Sequence, residues 1–210
     1  MKTSNERACV AEPDPDAALV AQAQQGDRRA LEALYRKYVG RIYNLVFRIT
    51  ADRQRAEDMT QEAFLQIYRS LHRFQGRSRF YTWAFRVATN VALARARSTA
   101  HADREVPFDD HHASPSAYAD PELSAERRDM FERLEAAMRR MPPQLRAMIV
   151  LGPIQSHTYE QIAEILGISV DAVKGRMYRA RVNLHAVLSS QASIFSRVQT
   201  VRNVKEGAAA

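Results

Sequence analysis

TYEQIAEILGISVDAVKGRMYRARVNL, residues 158–184, writes two helices around one tight corner. Ile162, Ala163, Ile165 and Leu166 give a short amphipathic helix, and Gly167 permits the turn. Ile168 plugs the angle between the helices, and Ser169 caps the next one with Asp171 in its first turn. This is the pattern of a helix-turn-helix. In the second helix Val173, Met177, Ala180 and Leu184 share one face, which leaves Lys174, Gly175, Arg176, Tyr178, Arg179 and Arg181 on the remainder. No acid lies between Ala172 and Leu188. A capped helix with a buried face and an acid-free basic surface suits the major groove, where Arg and Lys reach guanine acceptors and phosphates. A basic solvated helix in a three-helix scaffold is the plainer reading of the same residues.

The rest of the chain follows the same helical period. Gly is scarce, 7 in 210 residues, no stretch alternates with period two, and apolar residues recur at three and four, so an all-α chain is expected. Helices over 122–140 and 143–151 precede the helix-turn-helix, whose own helices are expected over 158–166 and 169–188, making a second domain of 122–188. Beyond it, SSQASIFSRVQTVRNVKEGAAA (189–210) is a weakly patterned tail whose last residues are expected to be disordered. Ahead of it, STAHADREVPFDDHHASPSAYADP (98–121) holds three histidines, three prolines and five acids against one arginine, the composition of a flexible acidic linker. Its pair His111 and His112 has no periodic partner with which to hold a metal.

A first domain is expected over 16–97, after a disordered arm of residues 1–15. Asp16 is placed to cap AALVAQAQQ, Gly26 to stop it and Asp27 to cap the next helix, RRALEALYRKYVGRIYNLVFRIT. On that second helix Leu31, Leu34, Tyr35, Tyr38, Ile42, Leu45, Val46 and Ile49 form one apolar stripe. A third helix covers about 56–71, and RSRFYTWAFRVATN (77–90) begins a fourth that ends near Arg97.

Composition narrows the function classes. With 46% hydrophobic residues the chain can build a core. Its apolar runs are far too short to span a bilayer, and MKTSNERACVAEPDPD lacks the apolar stretch of a signal peptide, so no membrane insertion and a cytoplasmic location are expected. Cys9 is the only cysteine, which excludes an internal disulfide and a multi-cysteine metal site. The net charge of +7 is concentrated: residues 41–97 carry eleven arginines against Asp52, Glu57, Asp58 and Glu62. A basic segment of that density is the footprint of a protein that meets phosphates, although basic helices also coat ordinary surfaces.

Two faces of the first domain stand out. In AEDMTQEAFLQIY the residues Asp58, Gln61, Glu62 and Leu65 fall on one stripe, beside an apolar stripe of Met59, Ala63, Phe64 and Ile67. Asp58 and Glu62 have no histidine at helical spacing to make them a metal site or an acid–base pair. A surface that docks a basic protein partner is the better reading, and a solvated face the plain one. On the fourth helix Phe80, Ala84, Val87 and Val91 are expected in the core, while Arg79, Trp83, Arg86 and Asn90 share another side. A ring, an amide and two cations on one face are the chemistry of single-strand recognition. Tyr81 and Phe85, on a third side, can add stacking or simply pack.

With both halves in view the chain resembles the bacterial sigma factors of the extracytoplasmic-function (ECF) group of the sigma-70 family, over about residues 16–190. GDRRALEALYRKY is similar to the opening helix of that family, AEDMTQEAF to its Asp-x-x-Gln-Glu-x-Phe signature, and FYTWAFRVATN to its Phe-x-Thr-Trp helix. MPPQLRAMIVL, TYEQIAEILGIS and VKGRMYRARVNL resemble its second domain. Several positions depart from the family pattern: Met141 stands for Leu before Pro142, Ala84 for Leu after the Trp, Gly175 for Ser in the reading helix, and GPIQSHTY for a segment like RDVEGLSY.

The resemblance implies a promoter-specificity subunit of RNA polymerase, with no catalytic residue, metal or cofactor. It implies that 16–97 is a sigma region 2-like domain, in which Asp58, Gln61, Glu62 and Phe64 dock the beta-prime clamp coiled coil of core RNA polymerase. Phe74, Arg77, Arg79, Trp83, Arg86 and Asn90, with the loop FQGRS, would then hold the opened minus-ten element of promoter DNA. It implies further that 122–188 is a region 4-like domain near the beta flap, with Lys174, Gly175, Arg176, Tyr178, Arg179 and Arg181 on the minus-thirty-five element. An anti-sigma factor is the expected regulator. An autonomous helix-turn-helix regulator of duplex DNA is the alternative, and an enzyme of the di-metal bundle type is a distant third.

Overall fold

The computed structural model describes residues 14–102 and 125–207, with side chains placed over 14–97, at 130 and over 132–190. Most of the expected arm with Cys9, the linker from 103 onward with His111 and His112, and the last three residues lie outside the described residues. The order is α1 (Ala17–Gln24), α2 (Arg28–Thr50), α3 (Arg53–Ser70), a 3₁₀ turn (Leu71–Arg73), α4 (Phe80–Ala102), α5 (Ala125–Arg140), α6 (Pro143–Ile149), a π-helical turn (Val150–Ile154), α7 (Tyr159–Leu166) and α8 (Val170–Gly207). No strand occurs among the described residues, and the helices form two units.

In the first unit α2 packs against α1, α3 and α4. Asp27 caps α2 by accepting from the N–H groups of Arg29 (2.7 Å) and Ala30 (3.4 Å), and Asp52 caps α3 by accepting from Arg55 N–H (2.9 Å). Leu34, Tyr38, Ile42, Leu45, Val46 and Ile49 are buried as the stripe requires, and Leu31 packs against them. Tyr35 does not follow: it is 47% exposed, its ring set edge-on to Phe64 at 4.7 Å. A phenol has a polar tip, and a site at the margin of the stripe leaves it in water.

Asp16 also departs from expectation. It makes no side-chain cap on α1. Its carboxylate, 1% exposed, accepts instead from the hydroxyl of Tyr38 and from Lys37 Nζ. A buried carboxylate gains more from a cation and a phenol than from one peptide N–H. Burial, with Asp16 beside it, holds the Tyr38 hydroxyl far above the usual tyrosine range. Asp14, assigned to the arm, is tied down: its Oδ2 accepts from Phe80 N–H at 2.6 Å, capping the first turn of α4 across 66 residues.

In the second unit Thr158 and Gln161 form a reciprocal capping box on α7, and Gly167 takes a left-handed conformation (φ 64°) that lets the chain turn. Ser169 Oγ accepts from Ala172 N–H (3.2 Å) at the start of α8. Ile162, Ile165, Val173, Met177 and Ala180 are buried at the angle. The helix expected to run to Leu151 instead loosens after Ile149 into the π-helical turn, because Pro153 has no N–H to donate and crowds the preceding turn. That turn passes close to α8: a Cβ on Gly152 would lie 2.6 Å from Met177 Cε. α8 does not end near Leu188. Neither Gly nor Pro occurs from Leu184 until Gly207, so nothing breaks the helix before then, and the backbone of the expected tail continues it.

Candidate nucleic-acid interface

α4 begins where Asp14 caps it and where Gln24 staples the loop ahead of it, donating from Nε2 to the carbonyls of Leu71 (2.9 Å) and Phe74 (2.8 Å). Phe74 is thereby held over Trp83, 5.0 Å between ring centroids, with Phe80 5.8 Å from the same indole. Trp83 is half-buried on one side of this aromatic cluster. Arg79, Arg86 and Asn90 are exposed on its helix face, and Arg77 is exposed in the loop, where Gly76 adopts φ 66°. Helix α4 buries Phe80, Ala84, Phe85, Ala88, Val91 and Ala92, with Val87 partly buried at the edge of that core. The arrangement offers a rigid ring edge, an amide and several guanidinium groups toward one side.

Asp58, Gln61 and Glu62 are exposed on α3, and Glu62 accepts from Gln66 Nε2 at 2.9 Å. Both acids line a groove of about 560 Å³ between α3 and α4, shared with Arg55, Met59, Gln66, Val91 and Arg95. Leu65 (51%) and Tyr68 (60%) are exposed on the same helix, and Tyr35 of α2 sets its ring edge-on to Phe64 of α3. The acids therefore sit next to apolar and aromatic surface, an arrangement typical of a protein-docking patch. Leu65 falls on this stripe in the sequence, whereas Tyr35 belongs to the expected core stripe of α2 and Tyr68 to no pattern, yet both are exposed.

On α8, Lys174, Gly175, Arg176, Tyr178, Arg179 and Arg181 are all exposed, Tyr178 at 70%, while Val173, Met177 and Ala180 face inward. Lys174 Nζ pairs with Asp171 at 3.1 Å in solvent, and Arg179 Nε lies back on the Gly175 carbonyl at 3.4 Å. A Cβ on Gly175 would meet nothing within 4 Å, so the glycine leaves open space on the outer face. Gly175→Ala is expected to stabilise α8 by up to about 1 kcal/mol, raising Tm by roughly 2–4 °C in thermal unfolding. An unchanged Tm would mean that α8 is not helical at this position in solution.

The two predicted DNA faces are not far apart, because the units pack together. Tyr81 of α4 donates to or accepts from His157 Nε2 at 2.7 Å, and the two rings stack at 5.5 Å and 8°. His157 Nδ1 lies 2.9 Å from the Leu151 carbonyl, which can only accept, so the proton is on Nδ1 and Tyr81 is the donor to Nε2. Burial is the main force that lowers the His157 pKa, and the nearby Arg41 pushes the same way. Burial pushes the Tyr81 hydroxyl up to about 12, and the Arg41 guanidinium lies 4.6 Å from its ring centre. Arg146 of α6, only 5% exposed, donates to Ile49 O (2.8 Å), Arg139 O (2.7 Å) and Met141 O (2.9 Å). Burial, with Arg139 close by, brings its pKa down to about 10, still charged at neutral pH. Of these residues the sequence singles out only Tyr81, as one that stacks or packs, and none of the contacts between units leaves a local pattern.

Among the described residues no three His, Cys, Asp or Glu side chains gather as a metal site, and no helix is long and apolar enough to cross a membrane. Residues 34–102 match the family described as Sigma-70 region 2, and residues 131–184 that described as Sigma-70, region 4. The chain is 35% identical over 175 residues to the RNA polymerase sigma-H factor of Pseudomonas aeruginosa, covering 80% of this chain and 91% of that protein. It is 34% identical over 177 residues to the ECF RNA polymerase sigma-E factor of Escherichia coli K12, covering 79% and 90%. In fold it is similar to CnrH, solved in complex with the cytosolic domain of CnrY, at a TM-score of 0.60 and 24% identity over 83% of this chain and 97% of that one. It is also similar to the sigma factor RpoE of Bartonella quintana, solved with the anti-sigma factor NepR, at 0.59 and 19% over 75% and 96%. Two sigma-70 regions in order, and relatives at 35% and 34% identity that the chain covers almost end to end, leave one conclusion: the chain belongs to the sigma-70 family, as an ECF sigma factor that directs promoter-specific initiation by RNA polymerase.

Proposed function

We propose that this sigma factor divides its work among three surfaces. Asp58, Gln61, Glu62 and Phe64 on α3, joined by Tyr35, Leu65 and Tyr68, dock the beta-prime clamp coiled coil of core polymerase. Phe74, Arg77, Arg79, Trp83, Arg86 and Asn90 take the opened strand of the minus-ten element. Lys174, Gly175, Arg176, Tyr178, Arg179 and Arg181 read the minus-thirty-five duplex while the second unit stands near the beta flap. Catalysis belongs to the polymerase core, and the chain acts in the cytoplasm. Residues 16–97 and 122–188 are the two functional domains. An anti-sigma factor is a further partner, a reading supported by the complex of the similar RpoE with its anti-sigma factor NepR.

The observation that carries this reading is the coexistence of an exposed acidic and apolar patch on α3 with the Trp83 face on α4. A regulator that binds duplex DNA by its helix-turn-helix alone uses neither. The test is to mix the purified chain with bacterial core polymerase: co-elution and initiation at discrete sites are expected. Tight sequence-specific duplex binding by the chain alone, without polymerase binding, would overturn the reading in favour of an autonomous regulator.

Arg179→Ala tests the third surface. A guanidinium on a base edge contributes roughly 1–3 kcal/mol, so initiation is expected to fall by about 5- to 150-fold with weakened discrimination among upstream sequences. Competition between promoters altered only in the upstream element reads this directly. An equal loss on every sequence would make Arg179 a phosphate contact.

A further inference from the structure

We propose that α1 is a clip that positions the minus-ten surface: Asp14 and Gln24, one at each end of it, pin the two ends of the 74–79 loop and so hold Phe74 and Phe80 against Trp83 for an incoming base. The role rests on the assignment of that surface to the opened strand, and gives it two positioning residues outside the surface itself.

Residues 74–79 run between the 3₁₀ turn and α4 with no helix of their own, and Gly76 among them takes φ 66°. Their ends are fixed from α1. Gln24, its last residue, directs both protons of Nε2 to main-chain carbonyls, Leu71 O at 2.9 Å and Phe74 O at 2.8 Å. Asp14 divides its carboxylate between two helix starts: Oδ1 accepts from Asp16 N–H at 3.0 Å and Oδ2 from Phe80 N–H at 2.6 Å. The clip is itself held down, since Val20 is buried in the core and the buried Asp16 carboxylate joins Lys37 and Tyr38 of α2.

What the clip fixes is an aromatic cage. Phe74 and Phe80 meet edge to face at 6.0 Å, and Trp83 lies 5.0 and 5.8 Å from them. Of the three rings only Phe74 lies outside a helix, so its position depends on the loop. A loop that samples several positions presents the cage for only a fraction of the time, and apparent affinity for a base falls by that fraction. This effect is separable from folding. Gln24 is exposed, and its bond to Phe74 O lies at the surface, where water can replace it. Leu71 O keeps the bond from Phe74 N–H at 3.0 Å, so losing Gln24 strands no buried carbonyl.

The test uses the full-length chain and its sole tryptophan, Trp83, whose fluorescence reads the cage without a label. Gln24→Glu sets a carboxylate against two carbonyl oxygens, and Gln24→Ala removes the donor without adding charge. Both are expected to make acrylamide quenching of Trp83 about twofold more efficient and to lower permanganate reactivity in the polymerase complex about fivefold, the size of one ordinary hydrogen bond. Core binding and Tm are expected to stay at the parent values. Asp14→Ala, at the other end, is expected to raise quenching likewise, and a cage as tight as the parent's there overturns the two-ended clip. Unchanged quenching and opening in both Gln24 variants overturn it too, as does opening lost in step with core binding or Tm, which would make Gln24 a support of the fold. Raised quenching with normal opening overturns the positioning role if Trp83→Leu impairs opening. If Trp83→Leu also opens normally, the assignment of the minus-ten surface falls, and the part of the clip in it falls too.

Discussion

Reversing both acids of α3, Asp58→Lys with Glu62→Lys, is expected to abolish stable binding to core polymerase while leaving the helical fold intact. The fold should survive because both side chains are exposed, and the bond that Glu62 accepts from Gln66 spans one turn of the same helix. Binding should not. Each carboxylate that pairs with a desolvated cation of the partner contributes about 2–5 kcal/mol, so losing two and replacing them with like charge weakens the complex by roughly a thousandfold or more. The groove they line already holds Arg55 and Arg95, so reversal leaves it uniformly positive toward a basic partner. Co-elution with core polymerase and circular dichroism together decide the matter. Retained affinity with retained helicity would sink the docking assignment; Asp58→Glu should bind nearly as well as the parent.

Leu65 and Tyr68, exposed on α3, make the same surface more than an acidic stripe. Acidic rims steer encounter, but the lasting affinity of most interfaces comes from a few aromatic and aliphatic anchors. The double reversal should therefore lower the association rate most steeply at low salt, where unscreened charge acts over several tens of ångströms.

What could be read from the chain alone was whatever leaves a periodic or local imprint. The helix-turn-helix was legible because its capping box, its left-handed glycine and its three inward residues all fall within 27 positions. The acidic stripe of α3 and the Trp83 face were legible for the same reason. What escaped was long-range. Asp14 capping α4, Gln24 holding the Phe74 loop, and Arg146 reaching Ile49 join residues 66, 50 and 97 positions apart, and no period announces them. Asp16 was misread because a residue of cap type next to a helix can find a stronger partner elsewhere, here Lys37 and Tyr38. Packing of one unit on the other escaped as well: Tyr81 and Phe85 share a side of α4 on which they can stack or pack, but nothing in the sequence pairs that side with His157, 76 residues from Tyr81.

Trp83→Leu is expected to spare core binding and to impair promoter opening by about 5- to 150-fold. Leucine fills part of the space against Phe74 and Phe80, 5.0 and 5.8 Å from the indole, so the loop and the start of α4 keep their packing better than with alanine. What it removes is the ring on which an unstacked base can rest. Stacking contributes roughly 1–3 kcal/mol per base, which sets the size of the loss at about 5- to 150-fold. Permanganate reactivity of unpaired thymines in the polymerase complex measures the opened state directly, and a binding assay on the same complex measures core affinity. Reactivity equal to the parent would assign Trp83 to the aromatic cluster alone. Reactivity lost together with core binding would instead mean that the Phe74–Phe80–Trp83 cluster props up the docking face of α3, a structural role rather than a contact with DNA.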